Sequence, residues 1–550
     1  MSALTLSEQV PTVCACEEGL PKKPMPLVMQ RISRRGYDDL KDRDVSRSEK
    51  VMSTSNSMYE WKTLPWKKIE RQVFKLQKRI YQASSRDDVK SVHRLQKLLL
   101  TSQFAKYLAV KKVAQINKGK HTAGIDGVKS LTAHQKFKLA VDLKLPTKAS
   151  PTRRIWIPKP GNKTEKRPLS IPTMRNRAEQ ALLKLALEPE WEAKFEANTY
   201  GFRPGRSTWD AVEAIFKSIV YKPKYVLDAD IAKCFDRINH KALLEKMNTF
   251  GAIRKATKAF LEAGFMEGKD LFPTKEGTPQ GSIVSPLLAN IALHGFQTFI
   301  RESFPAFYKG TQGWKPQVIM YADDFVILHR DIKVIERSRE LATEWLSSLG
   351  LELKASKTRI SHTLNYHQGN CGFDFLGFQV RQFPVGKTHS GRVRPHGQEP
   401  RLLGFKTIIS PGKEAQKRHQ QALKVVISTL RSAPQKVLIA QLNPILRGWC
   451  NYFSMGCSKR TYAKMNHLMF KKLLRWARRR HPNKGIKWIV RKYWRLERGT
   501  WDFALRDGMR LKHHDEVPVR RHIKIRSTKS PFDGDWSYWK SRERRQSAYS

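Results

Sequence analysis

The sequence predicts an α+β fold, and three observations lead there. Short apolar runs of β type stand in pairs around turns in the middle of the chain. Residues 318–320 and 325–328 flank Asp323-Asp324, and a strand from Arg153 to Ile157 enters a Pro/Gly turn and returns from Arg167 to Ile171. Stretches nearer the ends instead repeat apolar residues at three- and four-residue steps. Trp66, Ile69, Val73, Leu76 and Ile80 are one such stripe, the mark of a helix with one buried face.

Length and charge narrow the class. The 550 residues suffice for about three or four domains with a sizeable core. Lys and Arg number 104 against 49 Asp and Glu, a formal net charge of +55, which points to a polyanionic partner, nucleic acid before membrane. No apolar run of about 18 residues is present to span a bilayer. The six cysteines include no Cys-x-x-Cys pair, so neither a zinc knuckle nor a disulfide framework is signalled and a reducing compartment fits. The first twenty residues carry Glu8, Glu17 and Glu18 and no Lys or Arg, unlike a secretory signal or a transit peptide. The expected location is the bacterial cytoplasm, bound to nucleoprotein, or an organelle stroma or matrix if organelle-encoded. Residues 1–57 mix Pro, Ser and opposite charges without periodicity and are expected to be disordered.

The chain is organised around Asp323 and Asp324. Adjacent carboxylates at a structured bend repel each other unless a cation joins them, and hard oxygen ligands suit Mg²⁺. Upstream, Ser85 with Asp88 signals the start of a second helix running from Val89 toward Val113. Tyr200-Gly201-Phe202-Arg203-Pro204-Gly205-Arg206 reads as a tight turn that holds two arginines out. A strand carries Asp228 and Asp230 on one face, with Phe235-Asp236 beyond it; Asp236 reads as a cap or support for the following helix. Pro279-Gln280-Gly281 turns into a helix N-terminus, where free N–H groups can face an anion. A helix is expected over about 333–348, and the chain is helical again from 413. Gly386-Lys387-Thr388 is not a P-loop, because Arg381 stands where its first Gly would be.

Tyr321-Ala322-Asp323-Asp324 resembles the polymerase box of reverse transcriptases, in the variant typical of the reverse transcriptase/maturases encoded by group II introns. His121-Thr122-Ala123-Gly124-Ile125-Asp126-Gly127, the 200–207 turn, 277–291, Gly350-Leu351-Glu352-Leu353 and Phe373-Asp374-Phe375-Leu376-Gly377 resemble further blocks of that family. So does 438–453, which resembles its domain X. The match covers roughly 60–500. The resemblance implies a right-hand polymerase: an N-terminal extension over 58–130, fingers and palm with antiparallel sheet over 131–385, and a helical thumb over 400–485. A basic and aromatic segment that binds DNA or RNA fills 486–550, although several of its rings must equally be core.

The resemblance also implies roles. Asp230 and Asp323 would bridge two Mg²⁺ ions with Asp324 as a weaker ligand, Asp228 being the rival for the first position. Lys159 and Arg167 would bind the triphosphate, Phe235 would exclude a ribose 2′-hydroxyl, and Gln280 would touch nucleotide or template. Arg203, Arg206 and Lys357 would contact template, primer or RNA phosphates. Lys471, Lys472, Arg475 and Arg479 would form a basic RNA-binding face over an apolar stripe. The implied function is RNA-directed DNA polymerisation together with assistance to splicing and mobility of the host intron. The implied partners are group II intron RNA, an RNA template with DNA primer, and target DNA, with a homodimer in the ribonucleoprotein. The alternatives are a splicing-only maturase with an idle palm, and a reverse transcriptase of retron or CRISPR type. An HNH nuclease is not expected, since His513-His514 lacks the paired cysteines of its zinc module.

Overall fold

The computed structural model describes residues 61–548, apart from 159–164, 309, 394–398, 498 and 528. The expectation of disorder over 1–57 therefore lies outside the described residues. The described residues form two compact units: 61–418 together with those from Arg520 onward, and His419–Val519 between them.

The first unit opens with a helical layer. Helix α1 (Trp66–Ser84) buries Ile69, Val73, Leu76 and Ile80, the predicted stripe. Helix α2 (Val89–Thr101) begins at Asp88, whose carboxylate accepts from the Ser91 amide at 3.0 Å; Ser85 belongs instead to the end of α1, so the cap lies three residues later than expected. The helix expected to run toward Val113 also breaks at Ser102, which caps α3 (Gln103–Lys111), followed by a π-helical turn over Lys112–Ile116. These helices close over α4 (Met174–Lys194), and Ile69, Leu99, Ala105, Leu182 and Ala186 lie at the centre of their shared core. Pro189 inside α4 has no N–H and frees the carbonyl of Leu185 four residues back. The Gln77 amide donates to that carbonyl at 3.0 Å, so the break in the ladder ties α1 to α4.

Two four-stranded sheets follow. Strands β1 (Thr152–Pro158) and β2 (Lys166–Ile171) pair antiparallel, with Ile157 opposite Arg167. After α5 (Thr208–Ile219) and β3 (Tyr225–Asp230), strands β4 (Phe265–Glu267) and β5 (Asp270–Phe272) extend the first sheet in the order β2-β1-β4-β5. Helix α6 (Ser285–Leu293) packs beneath the second sheet. That sheet is completed by β6 (Gln317–Tyr321), β7 (Asp324–His329) and, beyond α7 (Ile332–Ser347), β8 (Arg359–His362), in the antiparallel order β8-β3-β7-β6. Val318, Met320, Phe325 and Ile327 pack with Leu287, Leu288 and Ile291 in its core. Strands β9 (Phe373–Phe375), β10 (Phe378–Pro384) and β11 (Phe405–Pro411) form a third sheet.

The second unit is helical. Helix α8 (Gln435–Phe453), α9 (Lys459–Arg480) and α10 (Ile486–Tyr493) bury Leu438, Leu442, Leu446, Met469, Leu473, Trp476 and Ile489, with a hairpin of β12 (Trp494–Glu497) and β13 (Thr500–Phe503). Beyond Arg520 the chain returns to the first unit and ends in α11 (Trp536–Ala548). The stretch from 486 to the C-terminus is therefore divided at 519 between two units. Tyr493, Trp494, Tyr538 and Trp539 are buried in their respective units, whereas Trp488 and Trp501 stay exposed. Among the described residues no helix is long and apolar enough to cross a membrane.

Candidate active site

The acidic bend is a two-residue hairpin. Strands β6 and β7 pair Tyr321 with Asp324, leaving Ala322 and Asp323 as the loop. Ala322 has φ of +58° and Asp323 is outside the left-handed region, the φ pattern of a II′ turn, which matches the twist of the strands. Asp324 thus opens the return strand and only Asp323 sits in the bend. On its other side Asp324 lies opposite Asp230 of β3, and the Ile231 amide donates to the carbonyl of Asp323 at 3.2 Å. The sheet register alone therefore gathers Asp230, Asp323 and Asp324.

Asp228 is engaged elsewhere. It lies opposite Val326, and Arg359 of β8 binds its Oδ2 at 3.1 Å. Burial pushes the Asp228 carboxyl up to about 6 in spite of that partner. Asp324 is pushed up further, to about 7, first by burial and then by the charges of Asp323 and Asp230. Lys357, expected as a phosphate contact, instead places its ammonium on Oδ2 of Asp230. Burial disfavours that ammonium, yet Asp230, followed by Asp324 and Asp323, holds its pKa above the usual lysine range. The donor chemistry fits a hard divalent cation: three carboxylates, one of them forced toward its neutral form by the others and by burial. Among the described residues no such group already converges as a ready-made metal cage.

The other expected site residues have varied fates. Phe235 is half-buried on the palm core, edge-on to Phe202 at 6.1 Å. Gln280 does not open a helix; α6 begins at Ser285, and the Gln280 amide reaches both oxygens of Asp236 at 3.1 Å. Asp236 is thus committed to the 277–281 turn. Arg167 is exposed on β2, whereas Lys159 lies outside the described residues.

Arg203 and Arg206 are not held out. Arg203 makes a buried bidentate pair with Glu192, at 2.8 and 3.1 Å, and donates to the Glu196 and Thr199 carbonyls. Arg206 donates to the carbonyls of Ala197 and Ser527, both at 2.9 Å, and burial lowers its pKa to about 10. These arginines shape the 200–207 turn from within, and the turn in turn braces the hairpin. The Tyr200 amide donates to Met320 O and the Met320 amide to Asn198 O, each at 2.9 Å. Gly201 lies so close that a Cβ there would stand 2.4 Å from the Ala322 nitrogen. Sequence reading missed this brace; the Gly in Tyr200-Gly201-Phe202 was its one visible trace.

In the second unit, Lys471, Arg475 and Arg479 are exposed along α9, and Lys472 is half-buried at the edge of the stripe of Met469, Leu473 and Trp476. Neighbouring charge from Arg475 and Lys424 adds to burial in lowering the Lys472 pKa.

An antiparallel sheet that brings Asp230, Asp323 and Asp324 together is the site in hand, and the comparisons give the chain its family. The family described as "Reverse transcriptase (RNA-dependent DNA polymerase)" matches residues 157–380, the N-terminal domain of reverse transcriptase matches 61–143, and the group II intron maturase-specific domain matches 416–494. Protein YkfC of Escherichia coli is 31% identical over 327 residues, covering 52% of this chain and 83% of YkfC. The group II intron-encoded protein LtrA of Lactococcus lactis is 34% identical over 251 residues, 44% of this chain but 41% of LtrA. Maturase-like protein 1 of Euglena gracilis is 29% identical over 246 residues, covering 42% of this chain and 51% of that protein. The chain belongs to the group II intron reverse transcriptase/maturases, a family that joins reverse transcription to assistance in intron splicing. The maturase-specific match favours this over a retron- or CRISPR-type enzyme.

Proposed function

We propose that this chain extends a DNA primer on an RNA template by two-metal nucleotidyl transfer, with Asp230, Asp323 and Asp324 as the Mg²⁺ ligands. The observation that carries the reading is the register of the palm sheet, which sets Asp230 opposite Asp324 beside the Asp323 bend. When bound there, divalent cations would supply charge neutralisation at the attacking 3′-oxygen and the triphosphate. The chain's own residues do the rest. Asp324, whose carboxyl is pushed up to about 7 first by burial and then by the charges of Asp323 and Asp230, would be held in its charged form by a cation bound there. Arg167, exposed on β2, and Lys159 bind the triphosphate by charge-assisted hydrogen bonds. Phe235, fixed against Phe202, limits the space at the sugar. Gln280, held by Asp236, keeps the 277–281 turn against β2, where the Ser170 amide donates to Gln280 O at 2.7 Å.

The α9 face of Lys471, Lys472, Arg475 and Arg479 binds the phosphates of the group II intron RNA and, on integration, of target DNA. Purified protein with Mg²⁺, a primed RNA template and dNTPs should extend the primer, and chelation should stop it. Absence of any extension under these conditions would refute the reading.

A further inference from the structure

The C-terminal segment that re-enters the first unit grips the turn that braces the catalytic hairpin. Its main anchor is Asp210, wholly buried at the start of α5. Oδ2 of Asp210 accepts from the Ser207 amide and hydroxyl, at 3.0 and 2.8 Å, and so caps the helix. Oδ1 faces the other way and is filled by the returning segment: the Ile525 amide at 2.7 Å, His522 Nε2 at 2.9 Å and Arg542 Nη2 at 3.0 Å. Burial alone would raise the Asp210 carboxyl, but these partners outweigh it and hold it at about 2.

Further contacts from the same segment reach this turn at Gly205 and Arg206 and helix α1 at Phe74. A Cβ at Gly205 would stand 2.9 Å from both Pro531 and Trp539. Arg206 spans from Ala197 to Ser527. Phe532 and Trp536 pack on Phe74, with ring centroids 6.3 and 5.4 Å away. From this turn the next contact is the hairpin itself, through Tyr200 to Met320 and Gly201 to Ala322.

We propose that residues 520–548 are a strap that positions the catalytic hairpin, acting from His522 and Arg542 through Asp210 and the 200–207 turn. None of these residues touches reacting atoms; they are positioning residues, and the inference rests on the reading of Asp323 and Asp324 as the polymerase site. A carboxylate buried this deeply needs its hydrogen-bond and ion-pair partners, so losing both side chains should loosen the strap rather than leave it docked.

The test uses the full chain with His522→Ala and Arg542→Ala together. Hydrogen exchange should speed up in peptides covering 200–207 and 318–324 but not in 419–519. The kcat for primer extension should fall by about tenfold to 100-fold, as small misplacements do, with the dNTP KM little changed. Arg542→Lys alone should preserve both readouts. If the double variant does not fold, Trp539→Leu loosens the Gly205 contact without stranding a charge and is read in the same way. Faster exchange confined to 520–548, with the hairpin and kcat unaffected, would overturn the strap. A wild-type protein that extends no primer would overturn the polymerase reading, and the exchange data would still decide the strap.

Discussion

The ammonium of Lys357 rests on the carboxylate of Asp230, the residue that faces Asp324 across the palm sheet. This lysine is a counter-charge for the crowded carboxylates of Asp230, Asp324 and Asp323. A divalent cation bound there, as proposed, would compete with it. Mg²⁺ should therefore raise the melting temperature of the wild-type protein, and raise that of Lys357→Ala by about 2 °C more, because the variant starts without its counter-charge. Lys357 is half-exposed, so the destabilisation without Mg²⁺ should be small, about 1 kcal/mol or less. Equal Mg²⁺ shifts in the two proteins, followed by scanning calorimetry, would argue against a cation at Asp230.

Asp323→Ala removes a ligand and also a like charge. Primer extension should fall by at least about 10²-fold, the scale for losing a preorganised electrostatic group. The fold should not suffer, since Asp324 then has one repulsive neighbour fewer. Unchanged melting with abolished extension is the expected pair of results; full extension would remove Asp323 from the site.

Gly201→Ala tests the brace rather than the ligands. The added Cβ would meet the Ala322 backbone at 2.4 Å, and backbone cannot swing aside as a side chain can. Extension should drop about tenfold or more, with the Asp323 bend displaced. A wild-type rate would show that the hairpin accommodates the methyl freely.

Much of this site was legible because it is local. The hairpin 317–329, the α1 stripe and the strand ending at Asp230 follow from period and turn chemistry within a dozen residues. Asp228 and Asp230 share one face of β3, so alternation alone does not choose between them; only the family spacing favours Asp230. What the sequence does not show is the register, in which Arg359 pairs with Asp228 and Asp324 lies opposite Asp230. The arginines of the 200–207 turn were misread as outward because their partners cannot be seen from the turn itself: Glu192 lies in the preceding helix, and Ser527 is far away in sequence. Asp210 and His522 are separated by 312 positions, and no pattern around either announces the other.

The second unit carries a pH sensitivity that can be read without activity. His419 and His514 are buried with their Nε2 atoms 2.9 Å apart, and Trp449 stacks on His419 at 4.4 Å. Asn466 Oδ1 accepts from both the backbone amide and Nδ1 of His514, which leaves His514 Nε2 to accept from His419 Nε2–H. Protonating His514 would set two N–H groups against each other. Burial holds His514 at about 4 and His419 at about 3, below the unfolded value of about 6.5. The unfolded chain then binds more protons, so stability is full above about pH 6.5 and falls as pH drops toward 4. Stability of the 419–519 unit should fall by on the order of 4 kcal/mol between pH 7 and 5, about half from each histidine, and His514→Gln should about halve that slope. A pH-independent transition over that range would contradict the neutral pair.

The last prediction separates splicing from polymerisation. A large RNA folds slowly because its phosphates repel and alternative helices compete, and a protein that binds the correct fold more tightly shifts the population toward it. Such binding needs basic surface beyond the primer-template site. Lys471, Lys472, Arg475 and Arg479 offer it on α9, in a unit with its own core, held by Leu438, Leu442, Met469 and Trp476. Replacing the four cations by Gln leaves that core untouched. Intron RNA binding should weaken, and the slope of log affinity against log salt should fall by roughly 0.7 for each phosphate that is no longer neutralised. Splicing at physiological salt should fail while extension on a short primed template survives. Asp323→Ala should do the reverse, ending extension and sparing splicing. If instead the four-fold variant splices its intron normally and loses extension, the α9 face serves the primer-template duplex, and its assignment to intron RNA must be abandoned.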